Sequence, residues 1–585
     1  MATFILDSQT SQTFSIENQD VHLTYDPTGV LRIDLTYQAA FGCGERYHTL
    51  NLKGHRISIA VEEKFCEQFD KTYYPAPFFL TDSGFGLYAA TGQAFEIAFK
   101  DDFIEANIPL GTEITLFSGD APKIISDYMA IFGQAILPPD YAFMPWISAN
   151  HWDSQAKVEA QLDLLKKHDF PAGVIVLEAW SDEATFYIFN GANYKAKSEG
   201  YLTYEDFEYS EKGLWPNPKA MIEKCHATGL RVMLWQIPVY KLQGEDEVIS
   251  PQNELDRANA IKHQFMVKKN DGQPYQIPEG NWFAGAMIPD FTNPETCQDW
   301  FAKRQYLLDI GIDGFKTDGG EFIYRDDLTF SNGKSGKEMK NLYPQTYTAA
   351  YTDFLSEQHI LFSRAGFAGQ HTTPILWAGD QKSTFSELRA QLKAGLSAAM
   401  SGIIFWGYDI AGFAGPLPDA DLYLRATQMA CFSPIMQWHS EPDGGQFKEV
   451  MASQDTNNER SPWHIATRTG DEHLLERTRF YHKLRAELQP YIIAEAKKSV
   501  ENNRPLMMPL AYYDMADSAT HGVVDEFMFG AEFLIAPIVE AGMTSRDVYL
   551  PAGKWENYWT GEQFTGKQTI QFKHDWHIPV YKKVK

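Results

Sequence analysis

Two aspartates, Asp318 and Asp380, each follow a short apolar run. Gly314–Lys316 leads through Thr317 to Asp318, and Ile375–Trp377 leads through Ala378 and Gly379 to Asp380. Lys316 stands two residues before Asp318, on the same face of an extended strand, and Arg364 follows a third such run, Ile360–Ser363. Cations nearby lower a carboxyl pKa, which suits a nucleophile. Burial beside apolar groups such as Trp377 raises one, which suits a general acid at Asp380. One ionised and one protonated carboxyl flanking a bond is what glycoside hydrolysis requires. The competing explanation is that each Asp caps the helix after its strand. For an isolated Asp at a strand end, capping is the better reading.

The runs belong to a longer series: Phe143–Ile147, Val174–Leu177, Val232–Trp235, Gly314–Lys316, Ile360–Ser363, Ile375–Trp377, Ile403–Trp406 and Ser433–Gln437. Amphipathic stretches lie between them, including Ser154–Lys167, Pro218–Thr228, Pro294–Leu308, Tyr343–Glu357 and Phe385–Met400. Strands that are apolar throughout are buried on both faces, as in a parallel sheet. Eight of them alternating with helices predict an α/β chain folded as a (β/α)8 TIM barrel, whose active site forms at the C-terminal strand ends. Those ends carry His151, Glu178, Trp235, Lys316 with Asp318, Arg364, Trp377 with Asp380, Asp409 and His439. Every strand thus brings a polar or aromatic group to one rim. Paired histidines of the HxH or HExxH kind are missing, so no metal and no cofactor is expected. No GxSxG supports acyl transfer.

Flanking this region the pattern changes. Before residue 138, closely spaced alternating runs such as Val21–Tyr25, Leu31–Leu35 and Ile114–Phe117 predict an N-terminal antiparallel β-sandwich over residues 1–137. Pro138-Pro139 marks the boundary. The barrel is expected over 138–498, with a helix at Glu472–Ala494. Alternation returns in Glu526–Ile538, Asp547–Leu550 and Thr569–Phe572, which predicts a small C-terminal β-sandwich domain over 499–585. The stretches 181–216 and 236–292 are long for βα loops and rich in Gly, Pro, Asn and aromatics, which marks them as functional loops.

Bulk properties narrow the ligand. The 585 residues carry 77 acidic against 51 basic side chains, a net charge of −26. Such a surface repels phosphate backbones and anionic lipid, so the expected partner is a small neutral oligosaccharide, with no nucleic acid and no membrane. A homo-oligomer stays open. Five scattered cysteines without a CxxC, and no apolar leader at Met1, predict a cytoplasmic protein with free thiols.

Gly311-Ile-Asp-Gly-Phe-Lys-Thr-Asp318-Gly-Gly-Glu321 resembles the nucleophile segment of glycoside hydrolase family 31. Phe362-Ser-Arg364 and Trp377-Ala-Gly-Asp380 resemble that family's arginine and acid/base segments, and Ala394 to Phe413, with its Trp406-Gly-Tyr-Asp409-Ile-Ala-Gly-Phe413 ending, resembles its helix–strand–loop segment. His439 fits the histidine after strand eight; Phe529–Ile538 and Tyr549–Trp555 fit the C-terminal domain. The resemblance, over roughly 138–585, overturns capping for both aspartates. It implies a retaining double displacement with Asp318 as nucleophile and Asp380 as acid/base. Glu178, Trp235, Lys316, Arg364, Trp377, Asp409, His439 and His151 would bind the sugar. An Asp is usual where Glu178 stands, so one extra methylene narrows or shifts the pocket. The first expectation is an exo-acting α-glucosidase releasing terminal glucose from short oligosaccharides, and the second an α-xylosidase. Other α-glycosidases and transglycosylases of the family follow. A non-catalytic carbohydrate-binding barrel is the reading from a different class.

Overall fold

The computed structural model describes residues 1–440, 458–573 and 576–584. Its centre is a parallel eight-stranded sheet of β1 (Trp146–Ala149), β2 (Val174–Leu177), β3 (Arg231–Gln236), β4 (Gly314–Thr317), β5 (Ile360–Ser363), β6 (Ile375–Trp377), β7 (Trp406–Gly407) and β8 (Gln437–Ser440). The strands pair in chain order and β8 pairs with β1, as Trp146↔Gln437 to Ala149↔Ser440. Between β7 and β8 a single parallel bridge, Asp409↔Gln437, completes the turn of the barrel. The expected TIM barrel is therefore present. The helices fall where their patterns put them: Gln155–His168, Pro218–Ala227, Leu342–Phe354 and Phe385–Ala399.

Three strands begin later than their apolar runs. Asp140–Phe143 is a 3-10 turn, so β1 starts only at Trp146. Ile403–Phe405 precede β7 without joining it. Ser433–Gln437 yields to β8 at Gln437–Ser440, and Arg485 gives the physical reason. This buried side chain sits on the long helix Leu474–Glu501. Its guanidinium donates to the carbonyls of Cys431, Ser433 and Pro434 and, from Nε, to that of Phe143. The run before β8 turns its carbonyls to one cation instead of to a ladder. The same contact ties the approaches to β1 and β8 together where the barrel closes. Pro294–Leu308 breaks into Pro294–Ala302 and Gln305–Asp309, with Arg304 turned inward to Gln236 and to the Trp300 carbonyl.

The N-terminal residues form two antiparallel sheets of five and six strands. The strands Ala40–Gly44 and Pro75–Thr81 escape the alternation pattern because every residue in them is buried. C-terminal to the long helix lie a six-stranded and a two-stranded antiparallel sheet. The segment 236–292 carries a helix of its own, Pro251–His263, capped by Ser250. One hydrophobic core runs through all three regions. All five cysteines are unpaired, and no helix among the described residues is long and apolar enough to cross a membrane.

Replacing Arg485 by Ala would leave buried carbonyls from both sides of the closure without donors. Each such group costs about 1–3 kcal/mol, so the expected loss is on the order of 3 kcal/mol or more, read as a lower urea midpoint. Arg485→Lys, with fewer donors, should recover only part of it.

Candidate active site

β4 and β5 pair in register with Thr317 opposite Ser363, and their hydroxyls meet at 2.7 Å. One residue on, Asp318 and Arg364 therefore emerge side by side. Arg364 Nη1 lies 3.0 Å from Asp318 Oδ1. The Trp235 indole N–H, from the end of β3, donates to Asp318 Oδ2 at 2.9 Å, and the Gly319 amide donates to Oδ1 at 2.8 Å. Gly319 and Gly320 both take positive φ, and a Cβ on Gly319 would strike Ile237 at 2.6 Å. A glycine pair is what lets the chain turn tightly enough for that amide to reach back. Neither aspartate caps a helix. The helix after Asp380 is capped by Thr384, and the short helix after Asp318 by Ser335.

Arg364 Nη1 also reaches Asp380 Oδ2, at 3.5 Å. The guanidinium is buried and is aimed from the other side by Glu321, whose two oxygens each accept one N–H at 3.0 Å. Its carbon stands 4.7 Å from the ring centre of Tyr73 and 5.2 Å from that of Trp282, both cation–π distances. Asp380 differs from Asp318 in its surroundings. Burial and the neighbouring Asp318 push its carboxyl up, against the pull of Arg364, to about 8. At neutral pH this group holds a proton.

Lys316, expected to sit against Asp318, makes its closest ion pair elsewhere. Its ammonium lies 2.6 Å from Glu178 Oε1 and 4.6 Å above the ring of Trp377. Burial opposes its charge, yet Glu178, Asp409 and Asp318 hold its pKa above the usual lysine value. Burial pushes Glu178 up and Lys316 draws it back. We take the pair as ionised, because 2.6 Å is a charge-assisted hydrogen bond. Glu178 Oε2 faces His439 Nε2 at 3.5 Å, and His439 Nδ1 lies 2.7 Å from Ser148 Oγ. Burial, with Lys316, Arg460 and His151 nearby, keeps the His439 pKa well below 6.5, so the ring is neutral. A carboxylate only accepts, so Nε2 carries the proton and Ser148 donates to Nδ1. Gln437 holds Asp409 through Nε2 to Oδ1 at 2.7 Å. Trp377 is buried and its indole nitrogen has no protein partner. All ten residues singled out from the sequence thus come to the C-terminal rim. His151 acts on His439, and its ring stands 6.0 Å from that of Trp152.

Several groups in this ring have no signal in the sequence. Tyr47, Gln68 and Tyr73 come from the connections between strands of the N-terminal sheets. Tyr47 donates to the Ala378 carbonyl at 2.8 Å, and Gln68 Nε2 to the Asp380 carbonyl at 3.1 Å. Gly379, with φ 72, leaves room for the Tyr73 ring, which a Cβ would meet at 2.2 Å. The long loops supply an aromatic wall in which Phe186 lies 5.6 Å from Trp235 and 5.7 Å from Phe283, and Trp282 6.3 Å from Trp235. Glu183, Phe186 and Phe283 hold positive φ, strain that clusters at functional sites. Among the described residues no group of three His, Cys, Asp or Glu side chains is placed to hold a metal ion.

Residues 135–495 match the model of the glycosyl hydrolases family 31 TIM-barrel domain, and residues 503–584 that of the family's C-terminal domain. The chain is 38% identical over 547 residues to an isomaltosyltransferase of Sporosarcina globispora, covering 91% of this chain and 49% of that one. It thus spans about half the length of that relative. It is 37% identical over 537 residues to a 1,3-alpha-isomaltosidase of Kribbella flavida, covering 89% and 72% of the two. Among solved structures it resembles a cycloalternan-degrading enzyme from Trueperella pyogenes in complex with isomaltose. There the TM-score is 0.89 at 34% identity, over 97% of this chain and 82% of that one. The same enzyme has been solved with a covalent intermediate.

Replacing Lys316 by Met strands the Glu178 carboxylate. Breaking a buried pair costs about 3–5 kcal/mol. A buried carboxyl raised above its unfolded pKa binds its proton more tightly when folded, so folding gains as pH falls toward the unfolded value. Urea unfolding should show the full deficit at pH 8 and a smaller one at pH 5.

Proposed function

We propose that this chain, which belongs to glycoside hydrolase family 31, is a retaining α-glycosidase that releases or transfers isomaltosyl groups from α-linked glucans. The observation that carries the reading is the single guanidinium shared by Asp318 and Asp380, at 3.0 and 3.5 Å. One nitrogen touching both carboxyls suits the ~5–5.5 Å spacing of a retaining pair better than the wider ~6.5–9.5 Å of an inverting one. Asp318, held by a cation and two N–H donors, attacks the anomeric carbon. Asp380, protonated at neutral pH, gives its proton to the leaving oxygen. It then takes a proton from the incoming water or sugar hydroxyl, which attacks the anomeric carbon as the bond to Asp318 breaks.

The isomaltosyl unit is a glucose carrying a second glucose on its 6-oxygen. It replaces the single terminal glucose as the first reading because two relatives above 35% identity are named for it and a third similar enzyme binds isomaltose. Glu178 supports the change. Its extra methylene lets one carboxylate meet both Lys316 and His439. A non-catalytic sugar-binding barrel would not need two aspartates on one arginine.

The test is a panel of p-nitrophenyl α-glucoside, α-xyloside and α-galactoside beside an oligosaccharide with an α-1,3-linked isomaltosyl end. Isomaltose is the expected product. Release of glucose alone would return the assignment to an α-glucosidase, and preference for the xyloside to an α-xylosidase. Asp318→Ala should lower turnover by more than about a thousandfold; a smaller loss would remove it as nucleophile. Asp380 works as an acid only while protonated, and its folded pKa is pushed up to about 8. The wild-type rate should therefore fall as pH rises through about 8, and Asp380→Asn should abolish that limb.

A further inference from the structure

One buried carboxyl lies outside the catalytic ring, where the sandwich meets the barrel. Glu45 directly follows the strand Ala40–Gly44 and is fully buried. Its backbone N–H donates to the Tyr74 carbonyl at 2.8 Å. The preceding Gly44 is held from the barrel side: its N–H donates to Ser401 Oγ at 2.8 Å, and Ser397 Oγ donates to its carbonyl at 2.7 Å. The next residue, Arg46, turns its guanidinium to the carbonyls of Cys43 and Ser58 and not to Glu45. A carboxyl buried without a cation is strongly disfavoured as an anion. The side chain instead joins two strand ends. Oε1 accepts from the indole N–H of Trp406, in β7, at 2.6 Å, and Oε2 lies 3.2 Å from the hydroxyl of Tyr47.

A count of protons fixes the state of this carboxyl. The Tyr47 hydroxyl has one proton to give. The Ala378 carbonyl, at 2.8 Å, is its nearer neighbour and can only accept, so the proton points there. The contact with Glu45 is then a hydrogen bond only when the carboxyl is the donor. Glu45 is therefore a neutral acid that donates from Oε2 to the phenol oxygen and accepts at Oε1 from the indole. Burial pushes its carboxyl up to about 8, against Trp406, Tyr47 and Arg46. The chain of contacts ends at the general acid. Ala378 and Gly379 connect β6 to Asp380, and Gly379 bends the chain with φ 72. The Ala378 N–H donates to the Gly407 carbonyl at 3.0 Å, one residue beyond Trp406. Its carbonyl has two donors, Tyr47 and, at 3.1 Å, Gln381 Nε2. The direction in which that carbonyl is held sets the start of the turn.

We propose that Glu45 is a positioning residue for the general acid: as a neutral carboxyl it aims the Tyr47 hydroxyl at the Ala378 carbonyl and so fixes the turn that presents Asp380 to the leaving oxygen. The inference rests on Asp380 being that acid, as read above. Glu45 itself touches no substrate and exchanges no proton with it. Its effect should be felt where proton donation matters most. A sugar leaves with a proton from the acid, whereas p-nitrophenolate leaves without one. A misdirected Asp380 therefore slows the first cleavage and spares the second.

The experiment measures kcat/KM on two substrates with one glycone: the oligosaccharide that the wild type cleaves fastest and its p-nitrophenyl counterpart. A neutral hydrogen bond is worth roughly three- to tenfold. Glu45→Met fills the space and deletes both contacts, and Tyr47→Phe deletes the hydroxyl alone. Each should lower kcat/KM on the oligosaccharide by about that factor and on the aryl glycoside by less than about twofold. Because both act along one chain of contacts, the double variant should lose no more than the worse single one. Glu45→Gln keeps an acceptor for the indole and a donor for the phenol. It should retain at least about half of the wild-type value on both substrates. If Glu45→Met does not fold, Glu45→Asp replaces it, since a shorter side chain on the same backbone cannot keep both contacts. Equal losses on both substrates would make Glu45 a matter of stability alone and overturn the proposal. So would unchanged kinetics, losses that multiply in the double variant, or a Glu45→Gln as impaired as Glu45→Met. Should Asp380→Asn hurt both substrates equally, Asp380 is not the acid and the reading beneath falls too. With Asp380 upheld, the other outcomes sink this inference alone.

Discussion

A buried ring with more carboxyls than cations cannot ionise completely, and the rest of this site follows from how that imbalance is resolved. Glu178, Asp318, Glu321, Asp380 and Asp409 converge on two cations within the ring, Lys316 and Arg364. Desolvating an unpaired carboxylate is expensive, so among the three carboxyls on Arg364 the one with the longest contact keeps a proton. Arg364 lies 3.0 Å from Asp318, 3.0 Å from Glu321 and 3.5 Å from Asp380. The longest of the three contacts belongs to Asp380, whose carboxyl is pushed up to about 8. The division of labour between base-like and acid-like aspartates is thus a property of the whole ring.

The barrel makes this arrangement possible by fixing neighbours. The pairing of Thr317 with Ser363 sets Asp318 beside Arg364, and the pairing of Ser148 with His439 sets the hydroxyl beside the imidazole. These contacts are decided by strand register, which depends on a closed sheet. Closure in turn leans on Arg485, whose fork holds four carbonyls at the approaches to β1 and β8. A helix outside the barrel therefore supports the alignment of groups inside it.

Much of this was legible in the chain because strand ends are local. An apolar run followed by a charged residue marks the rim wherever it occurs, and Asp318, Arg364, Asp380 and His439 were all found that way. The partner of Lys316 was not, because periodicity gives the face of a strand but not the reach of a side chain. Glu178 intercepts the ammonium from two strands away. Glu321 sat in a recognised segment without a visible role, since nothing local tells that its oxygens fork onto Arg364. The late start of β8 was hidden for a similar reason: an apolar run does not show that a distant arginine will claim its carbonyls. Tyr47, Gln68 and Tyr73 lie in a stretch with no period at all, and they reach the site through contacts with residues about three hundred positions further on.

Those contacts bear on how such an enzyme can change over evolution. Tyr73 fills the space that Gly379 leaves, and Tyr47 and Gln68 hold the backbone on either side of it. The sandwich is part of the floor and rim of the site instead of an appended module. A barrel recombined with a foreign sandwich would inherit a glycine facing a hole and an acid on a loosened tether. Change is then most accessible by drift within the sandwich loop itself, where the bend is already tolerated, while wholesale exchange of either half should be selected against.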